Sequence, residues 1–156
     1  MKKVFALLAV SALLLTGCGE KEVSASSDNL PTVTTNQGEA PTIGAPAGNP
    51  PTTLEIKDII VGTGAEALPT STMTVHYTLM TWSNGQLIES SWNGGSPATF
   101  PLANVIVGWQ QGIPGMKVGG RRLLVIPPDL GYGAQGGGPI GPNETLIFVV
   151  DAIGVA

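Results

Sequence analysis

The stretch that most constrains the fold is residues 105–133, VIVGWQQGIPGMKVGGRRLLVIPPDLGYG. Trp109 opens a short amphipathic segment that Pro114 ends within about two helical turns, because proline breaks a helix interior. Residues 123–126 form an apolar run that favours a strand. Tyr132 then stands between two glycines. The stretch therefore predicts a very short helix, a strand, and a turn that could bring a Trp and a Tyr together.

Strand signals flank this stretch on both sides. Residues 72–80 alternate in polarity, with Met73, Val75, Tyr77 and Leu79 on one face. Asn84-Gly85 is a strong hairpin signal. Further strands are predicted near 54–61, 86–91, 98–102 and 145–153. The pattern predicts an antiparallel β-rich domain with one short helix, in the α+β class.

The front of the chain has the pattern of an export signal. Lys2-Lys3 precedes an apolar run of about 12 residues, which is too short to span a bilayer. The run ends in Leu15-Thr16-Gly17-Cys18, which resembles a bacterial lipobox in which Cys18 becomes the lipidated first residue. We expect a lipoprotein signal peptide at 1–17; the alternative is an ordinary secretory signal with a chance cysteine.

Residues 18–51 lack a periodic apolar pattern and are rich in Ser, Thr, Asn, Gly, Ala and Pro. This composition predicts the lipidated Cys18 followed by a flexible linker, with an r.m.s. span of roughly 30 Å over about 33 residues. The folded domain is then expected at 52–156. Cys18 is the only cysteine in the chain, so no disulfide is expected.

The charge balance bears on possible partners. The formal net charge is −4, and removing residues 1–17 leaves five basic against 11 acidic groups, or −6. Nucleic-acid binding is not expected, because it requires clustered Lys and Arg. Arg121-Arg122 is the only basic pair beyond the N-terminus. We expect it to be a solvated strand start; the alternative is a phosphate or partner site.

Few residues could support covalent or metal chemistry. The chain has one histidine, His76, and contains no HExxH, no cysteine–histidine cluster and no G-x-S-x-G motif. The glycines at 136–138 are not followed by Lys-Ser or Lys-Thr, as a phosphate loop requires. The sequence therefore argues against metal, covalent and phosphoryl chemistry, and we expect no cofactor.

Five motifs in order resemble the FKBP family of peptidyl-prolyl cis/trans isomerases, and together they cover roughly residues 53–153. The motifs are V-H-Y-T at 75–78, V-I-x-G-W-x-x-G at 105–112, M-x-V-G-G-R-R at 116–122, I-P-P-D-L-G-Y-G at 126–133 and P-N-E-T-L-I-F at 142–148. The resemblance implies a curved antiparallel sheet of about five strands wrapped around one short helix. It places an apolar ligand pocket between helix and sheet.

The resemblance also implies roles for individual residues. Trp109 would form the pocket floor, while the Tyr132 hydroxyl and the Ile106 backbone N–H would donate to substrate carbonyls. Glu89 falls where the family usually has an aspartate that accepts a hydrogen bond from the pocket tyrosine, here Tyr77. The implied catalytic set is Tyr77, Glu89, Trp109 and Tyr132, and the implied substrate-binding set is Ile88, Phe100, Val105, Ile106, Ile140 and Phe148. Without the resemblance, Val105, Ile106, Ile140 and Phe148 are as compatible with the hydrophobic core as with a pocket. Phe100 is likewise compatible with the pocket wall or the core.

Three departures from the family pattern stand out. Ile88 replaces a typical phenylalanine, Ala98 replaces another common aromatic, and Glu89 is one methylene longer than aspartate. They predict a wider, less aromatic pocket.

The leading prediction is a lipid-anchored isomerase that assists the folding of cell-envelope proteins. It would be a monomer at the periplasmic side of the outer membrane. Its partners would be proline-containing polypeptides, with macrolide inhibitors as a second expected class of ligand. The alternative is a catalytically weak peptide-binding or chaperone module. A purely structural lipoprotein would leave the pocket signature without a purpose.

Overall fold

Two long strands form the centre of a six-stranded antiparallel sheet in the computed structural model, which describes residues 29–156. These are β2 (Thr72–Thr81) and β6 (Leu146–Val155), whose residues pair along nearly their whole length. The remaining strands are β1 (Glu55–Ile60), β3 (Leu87–Ser90), β4 (Ala98–Pro101) and β5 (Arg121–Ile126). The order across the sheet is β1-β5-β6-β2-β3, with β4 also paired to β2. The predicted α+β class and antiparallel sheet are confirmed.

Strands β3 and β4 share one edge of β2. Strand β3 pairs with Thr78–Met80 and β4 pairs with Thr72–Val75. Between them the chain forms a 3-10 helix at Ser91–Gly94. The Ser91 Oγ accepts the Tyr77 N–H at 2.9 Å, so a side chain replaces the missing strand partner. The two strands predicted near 86–91 and 98–102 are observed as β3 and β4.

The inner face of the sheet holds the main core and carries the helix α1 (Val107–Gly112). Helix α1 contacts β5 through two glycines, Gly108 and Gly112. A Cβ at Gly108 would lie 2.4 Å from Ile126, and one at Gly112 would lie 2.7 Å from Leu124. Only glycine allows this close approach, which brings Trp109 down onto the sheet.

The outer face of the sheet is covered by residues 29–51, which we call the N-terminal strap. Leu30, Val33 and Ile43 of the strap pack on an apolar cluster of Trp82, Leu123, Val125, Ile147 and Val149. The strap folds back on itself through a bridge between Val33 and Ile43, and the Gly44 N–H donates to the Thr32 carbonyl at 2.8 Å. The Trp82 indole also donates to the Gly48 carbonyl, at 3.3 Å.

The prediction of a flexible linker is therefore wrong for residues 29–51. Its composition is polar, but three spaced apolar side chains are enough to cover an outer face that would otherwise expose large aliphatic residues. Residues 1–28, with the predicted signal peptide and Cys18, lie outside the described part of the chain. Within residues 29–156, no helix is long and apolar enough to cross a membrane.

Both arginines of the basic pair are buried, which corrects the expectation of a solvated strand start. Arg121 is 0% exposed and lies on the outer face. Its Nε donates to Asp151 Oδ1 at 2.6 Å, while Nη1 and Nη2 donate to the strap carbonyls of Thr34 (2.9 Å) and Glu39 (2.7 Å). Burial raises the pKa of the Asp151 carboxyl, and the Arg121 guanidinium acts in the opposite direction.

Arg122 points to the opposite face, as strand alternation requires. Its guanidinium makes two hydrogen bonds to the Asp58 carboxylate, at 2.6 and 3.1 Å. Nη1 also donates to the carbonyls of Gly112 (2.9 Å) and Pro114 (3.3 Å) at the end of α1. Arg122 therefore ties the end of the helix to the sheet and is not free to bind a phosphate.

We predict that the strap is part of the stable fold. A chain of residues 52–156 should unfold at lower urea concentration than 29–156, with a loss of about 3 kcal/mol or more in the free energy of unfolding, because the outer apolar cluster loses the contacts of Leu30, Val33 and Ile43 and is exposed to water. The measurement is urea denaturation of both chains followed by circular dichroism. Equal midpoints would contradict this account.

A matched pair of substitutions tests the same contact in the intact chain. Val33→Asp places a charge against the outer cluster, whereas Thr35→Asp adds the same charge at an exposed position. The first should cost about 1–3 kcal/mol and the second less than about 0.5 kcal/mol.

Candidate active site

A cavity of about 380 Å³ opens between α1 and the inner face of the sheet. Side chains from four strands, from α1 and from the segments around residues 105 and 132 line it. The lining residues are Tyr77, Leu79, Glu89, Phe100, Asn104, Val105, Ile106, Trp109, Tyr132 and Phe148. The volume lies within the range of small-ligand sites, and the lining is mainly apolar and aromatic.

Trp109 forms the centre of an aromatic cluster. It is 4% exposed, and the rings of Tyr77, Phe100 and Phe148 meet it edge-on with centroid distances of 5.9, 5.8 and 5.3 Å. Edge-to-face pairs of this kind stabilise each other beyond their burial. The buried indole Nε1 has no hydrogen-bond acceptor within residues 29–156. Trp109 thus presents a rigid surface for an apolar group.

Tyr77 and Glu89 form a short polar contact in the wall. The Tyr77 hydroxyl donates to Glu89 Oε1 at 2.6 Å. Burial raises the pKa of Tyr77 well above its ordinary value, and the hydrogen bond and negative charge of Glu89 raise it further. Tyr77 therefore keeps its proton throughout the physiological pH range.

Two hydrogen-bond donors remain unused at the cavity. The Ile106 backbone N–H has no acceptor in the described part of the chain, and neither does the Tyr132 hydroxyl. Tyr132 is 41% exposed, and its ring lies over Gly137, where a Cβ would come within 3.0 Å of it. A ligand with carbonyl groups would meet both an apolar floor and free donors.

Most of the residues predicted for the site meet at this cavity. Eight of the ten line it: Tyr77, Glu89, Phe100, Val105, Ile106, Trp109, Tyr132 and Phe148. Ile88 and Ile140 are not among the lining residues, and their role in substrate binding stays a prediction. Ile88 packs against the inner core from the sheet edge. Ile140 is 5% exposed in that core, where a backbone bridge to Gly137 holds it.

Two lining residues were not predicted. Leu79 follows Tyr77 by two positions on β2, so strand alternation already placed it on the same face. Asn104 ends the 3-10 helix Leu102–Asn104, and nothing in the sequence marked it.

The single histidine lies away from the cavity. His76 stacks on Trp92 with ring centroids 3.9 Å apart, and its Nδ1 is 2.9 Å from Ser91 Oγ. Among residues 29–156, no group of three His, Cys, Asp or Glu side chains is arranged to hold a metal ion. The residues that line the cavity offer apolar contacts and hydrogen-bonding groups.

The structure is an antiparallel sheet that packs on one short helix, with an aromatic pocket between them. Comparison with known proteins shows which class of protein has this architecture. The sequence model of the family FKBP-type peptidyl-prolyl cis-trans isomerase matches residues 64–153. The crystal structure of AtFKBP13 superposes with a TM-score of 0.61 and 39% identity, over 66% of this chain and 93% of that one.

Two curated relatives are informative. The probable FK506-binding protein of Corynebacterium glutamicum is 50% identical over 115 residues, which cover 74% of this chain and 98% of the relative. The outer membrane protein MIP of Legionella longbeachae is 43% identical over 106 residues, covering 67% of this chain and 45% of the relative. The chain belongs to the FKBP-type peptidyl-prolyl cis-trans isomerases.

We predict that catalysis does not depend on pH between about 6 and 9. The raised pKa of Tyr77 means that its proton is lost only above the ordinary tyrosine value of about 10. The stabilisation tied to that proton is likewise complete below pH 10 and falls as pH rises beyond it. The test is kcat/KM for one X-Pro peptide across this range. A bell-shaped profile would contradict the conclusion that the Tyr77 hydroxyl stays protonated and that no other titrating group is needed.

Proposed function

We propose that this isomerase acts on X-Pro bonds of unfolded or folding cell-envelope proteins, by non-covalent stabilisation of the twisted amide. The observation that carries the proposal is the Trp109 surface, enclosed by three aromatic rings and bordered by two unused donors. A proline ring and its flanking carbonyls have the complementary chemistry.

The physical demand of the reaction fits such a site. Amide resonance sets the rotation barrier at about 18–20 kcal/mol. Twisting the amide removes part of its double-bond character, so its carbonyl becomes less polar and prefers an apolar environment. A pocket that binds the twisted amide better than either planar form lowers the barrier without a nucleophile or a metal.

Each wall of the cavity has a proposed role. Trp109 supports the proline ring, and Phe100, Val105 and Phe148 exclude water from the amide. The Ile106 N–H and the Tyr132 hydroxyl bind substrate carbonyls and fix the backbone on either side of the proline. The hydrogen bond from Tyr77 to Glu89 keeps the Tyr77 ring edge-on to Trp109.

A second candidate function is peptide binding with little turnover. The observation that favours it is that neither Ile88 nor Ala98, both replacements for aromatic residues of the family pattern, contributes to the cavity lining. The pocket wall contributed by β3 consists of Glu89 alone. A wider wall would restrain the twisted amide less while still binding a proline-containing segment.

We predict that residues 29–156 accelerate cis/trans exchange in X-Pro peptides, measured by exchange NMR. Trp109→Leu should reduce kcat/KM by about tenfold or more, because it removes the floor. Trp92→Leu is the matched control on the outer face and should leave the rate near that of the parent chain. Tyr132→Phe should cost about threefold to tenfold, the effect of one modest hydrogen bond.

These outcomes separate the two functions. If the folded chain binds the peptides but accelerates no exchange, the binding-module proposal replaces the enzymatic one for this chain. Equal losses in the Trp109 and Trp92 variants would contradict the proposed site.

We further propose that the protein is a monomeric lipoprotein, anchored through Cys18 at the periplasmic side of the outer membrane. The lipobox-like sequence ending at Cys18 supports this, as does similarity to a relative named an outer membrane protein. The relative from Corynebacterium glutamicum is named a probable FK506-binding protein, which supports macrolide inhibitors as ligands of the same pocket.

The anchor has a direct test. We expect the full chain expressed in a Gram-negative host to incorporate labelled palmitate and to fractionate with outer membranes. Cys18→Ser should abolish the label. An unlabelled, fully secreted parent chain would instead indicate an ordinary signal peptide.

A further inference from the structure

A side chain outside the cavity holds the peptide group between Val105 and Ile106. The Gln110 Nε2 donates to the Val105 carbonyl oxygen at 2.8 Å. This oxygen and the Ile106 N–H belong to one planar peptide unit, and in a trans peptide they point in opposite directions. Fixing the carbonyl therefore fixes the direction of the N–H.

The side chains of Val105 and Ile106 pack against the inner core, but the peptide group between them lies outside the hydrogen-bonded sheet. Val105 and Ile106 are extended, with φ/ψ of −99/174° and −58/151°, and they lie between the 3-10 helix at Leu102–Asn104 and α1. Neither residue belongs to a strand of the sheet. The backbone N–H of Gln110 donates to the Ile106 carbonyl at 3.2 Å, so Gln110 contacts the peptide groups on both sides of the Ile106 Cα.

Ile106 lines the cavity, and its backbone N–H lacks an acceptor in residues 29–156. A hydrogen bond accepted by the carbonyl of a peptide also polarises its N–H, because chains of hydrogen bonds strengthen one another. Gln110 thus acts on both the direction and the donor strength of this group.

We infer that Gln110 is a positioning residue for substrate binding at the Ile106 N–H. The inference rests on the proposed function, in which that N–H binds a substrate carbonyl. The role requires a donor at position 110: an ionised glutamate has the same shape but accepts only, and it would repel the Val105 oxygen.

The chain offers a matched control in Gln111. It is the adjacent residue on α1, is also exposed, and makes no side-chain hydrogen bond in the described structure. Gln110→Glu and Gln111→Glu add the same charge one residue apart. Gln110→Met and Gln111→Met remove the amide without adding charge.

We expect both Gln110 variants to lower kcat/KM for X-Pro exchange by about threefold to tenfold, the effect of one hydrogen bond. Both Gln111 variants should stay within about twofold of the parent, as surface substitutions do. Urea midpoints of all four should match the parent, because the contact is exposed. Gln110 variants that match their Gln111 controls would overturn the inference.

Two readouts separate positioning from general damage. The Ile106 amide proton should shift in the NMR spectrum of the Gln110 variants and not in the Gln111 variants. Substrate analogues that keep the X-Pro amide should show the same link. An analogue that lacks the carbonyl bound by the Ile106 N–H, through methylene replacement of the proline carbonyl or of the carbonyl that precedes residue X, should lose its sensitivity to Gln110→Met, since it no longer uses the donor. Uniform sensitivity of all analogues would also overturn the inference.

The parent chain keeps this test distinct from that of the proposed function. If residues 29–156 neither bind nor isomerise X-Pro peptides, the proposed function fails. If the parent is active and the Gln110 variants behave like the Gln111 variants, only the positioning role fails.

Discussion

The contact of helix α1 with strand β5 sets the position of everything at the cavity. Gly108 and Gly112 face Ile126 and Leu124 so closely that any side chain at either position would push the helix away. The helix has only six residues and could not hold its place alone, because short helices are marginal in water. Sheet packing and the Arg122 bonds to the Gly112 and Pro114 carbonyls provide the support. The Trp109 surface is therefore as rigid as the sheet beneath it.

The two neighbouring arginines Arg121 and Arg122 make stabilising contacts on opposite faces of the sheet. Arg122 points inward and ties the helix end to Asp58, while Arg121 points outward and binds Asp151 together with two carbonyls of the strap. Each guanidinium is buried, and every nitrogen of each donates at least one hydrogen bond, which is the condition under which a buried guanidinium is tolerated. Two adjacent residues of β5 thus hold the strap on the outer face and the end of α1 on the inner face.

Much of the fold and site could be predicted because its signals are local or carried by dense motifs. Strand alternation placed Tyr77 on the inner face, and the motif around Trp109 marked the floor. The sequence could not distinguish Ile88 and Ile140, which lie outside the cavity lining, from residues that line it, because apolar residues beside a pocket are indistinguishable from core by type alone. The strap was not predicted because it is held by three widely spaced side chains, Leu30, Val33 and Ile43, and by backbone carbonyls. Backbone contacts leave no pattern in the amino-acid sequence. The Gln110 contact was not predicted for the same reason, because its acceptor is the backbone carbonyl of Val105.

The strap also settles how the domain is presented to its surroundings. Leu30 packs on the outer face of the sheet, whereas the cavity opens on the inner face. Any covalent attachment made through residues before 29 must leave from the side opposite the cavity. No residue of the strap lines the cavity, so residues 29–51 leave the inner face open to a polypeptide that approaches the pocket.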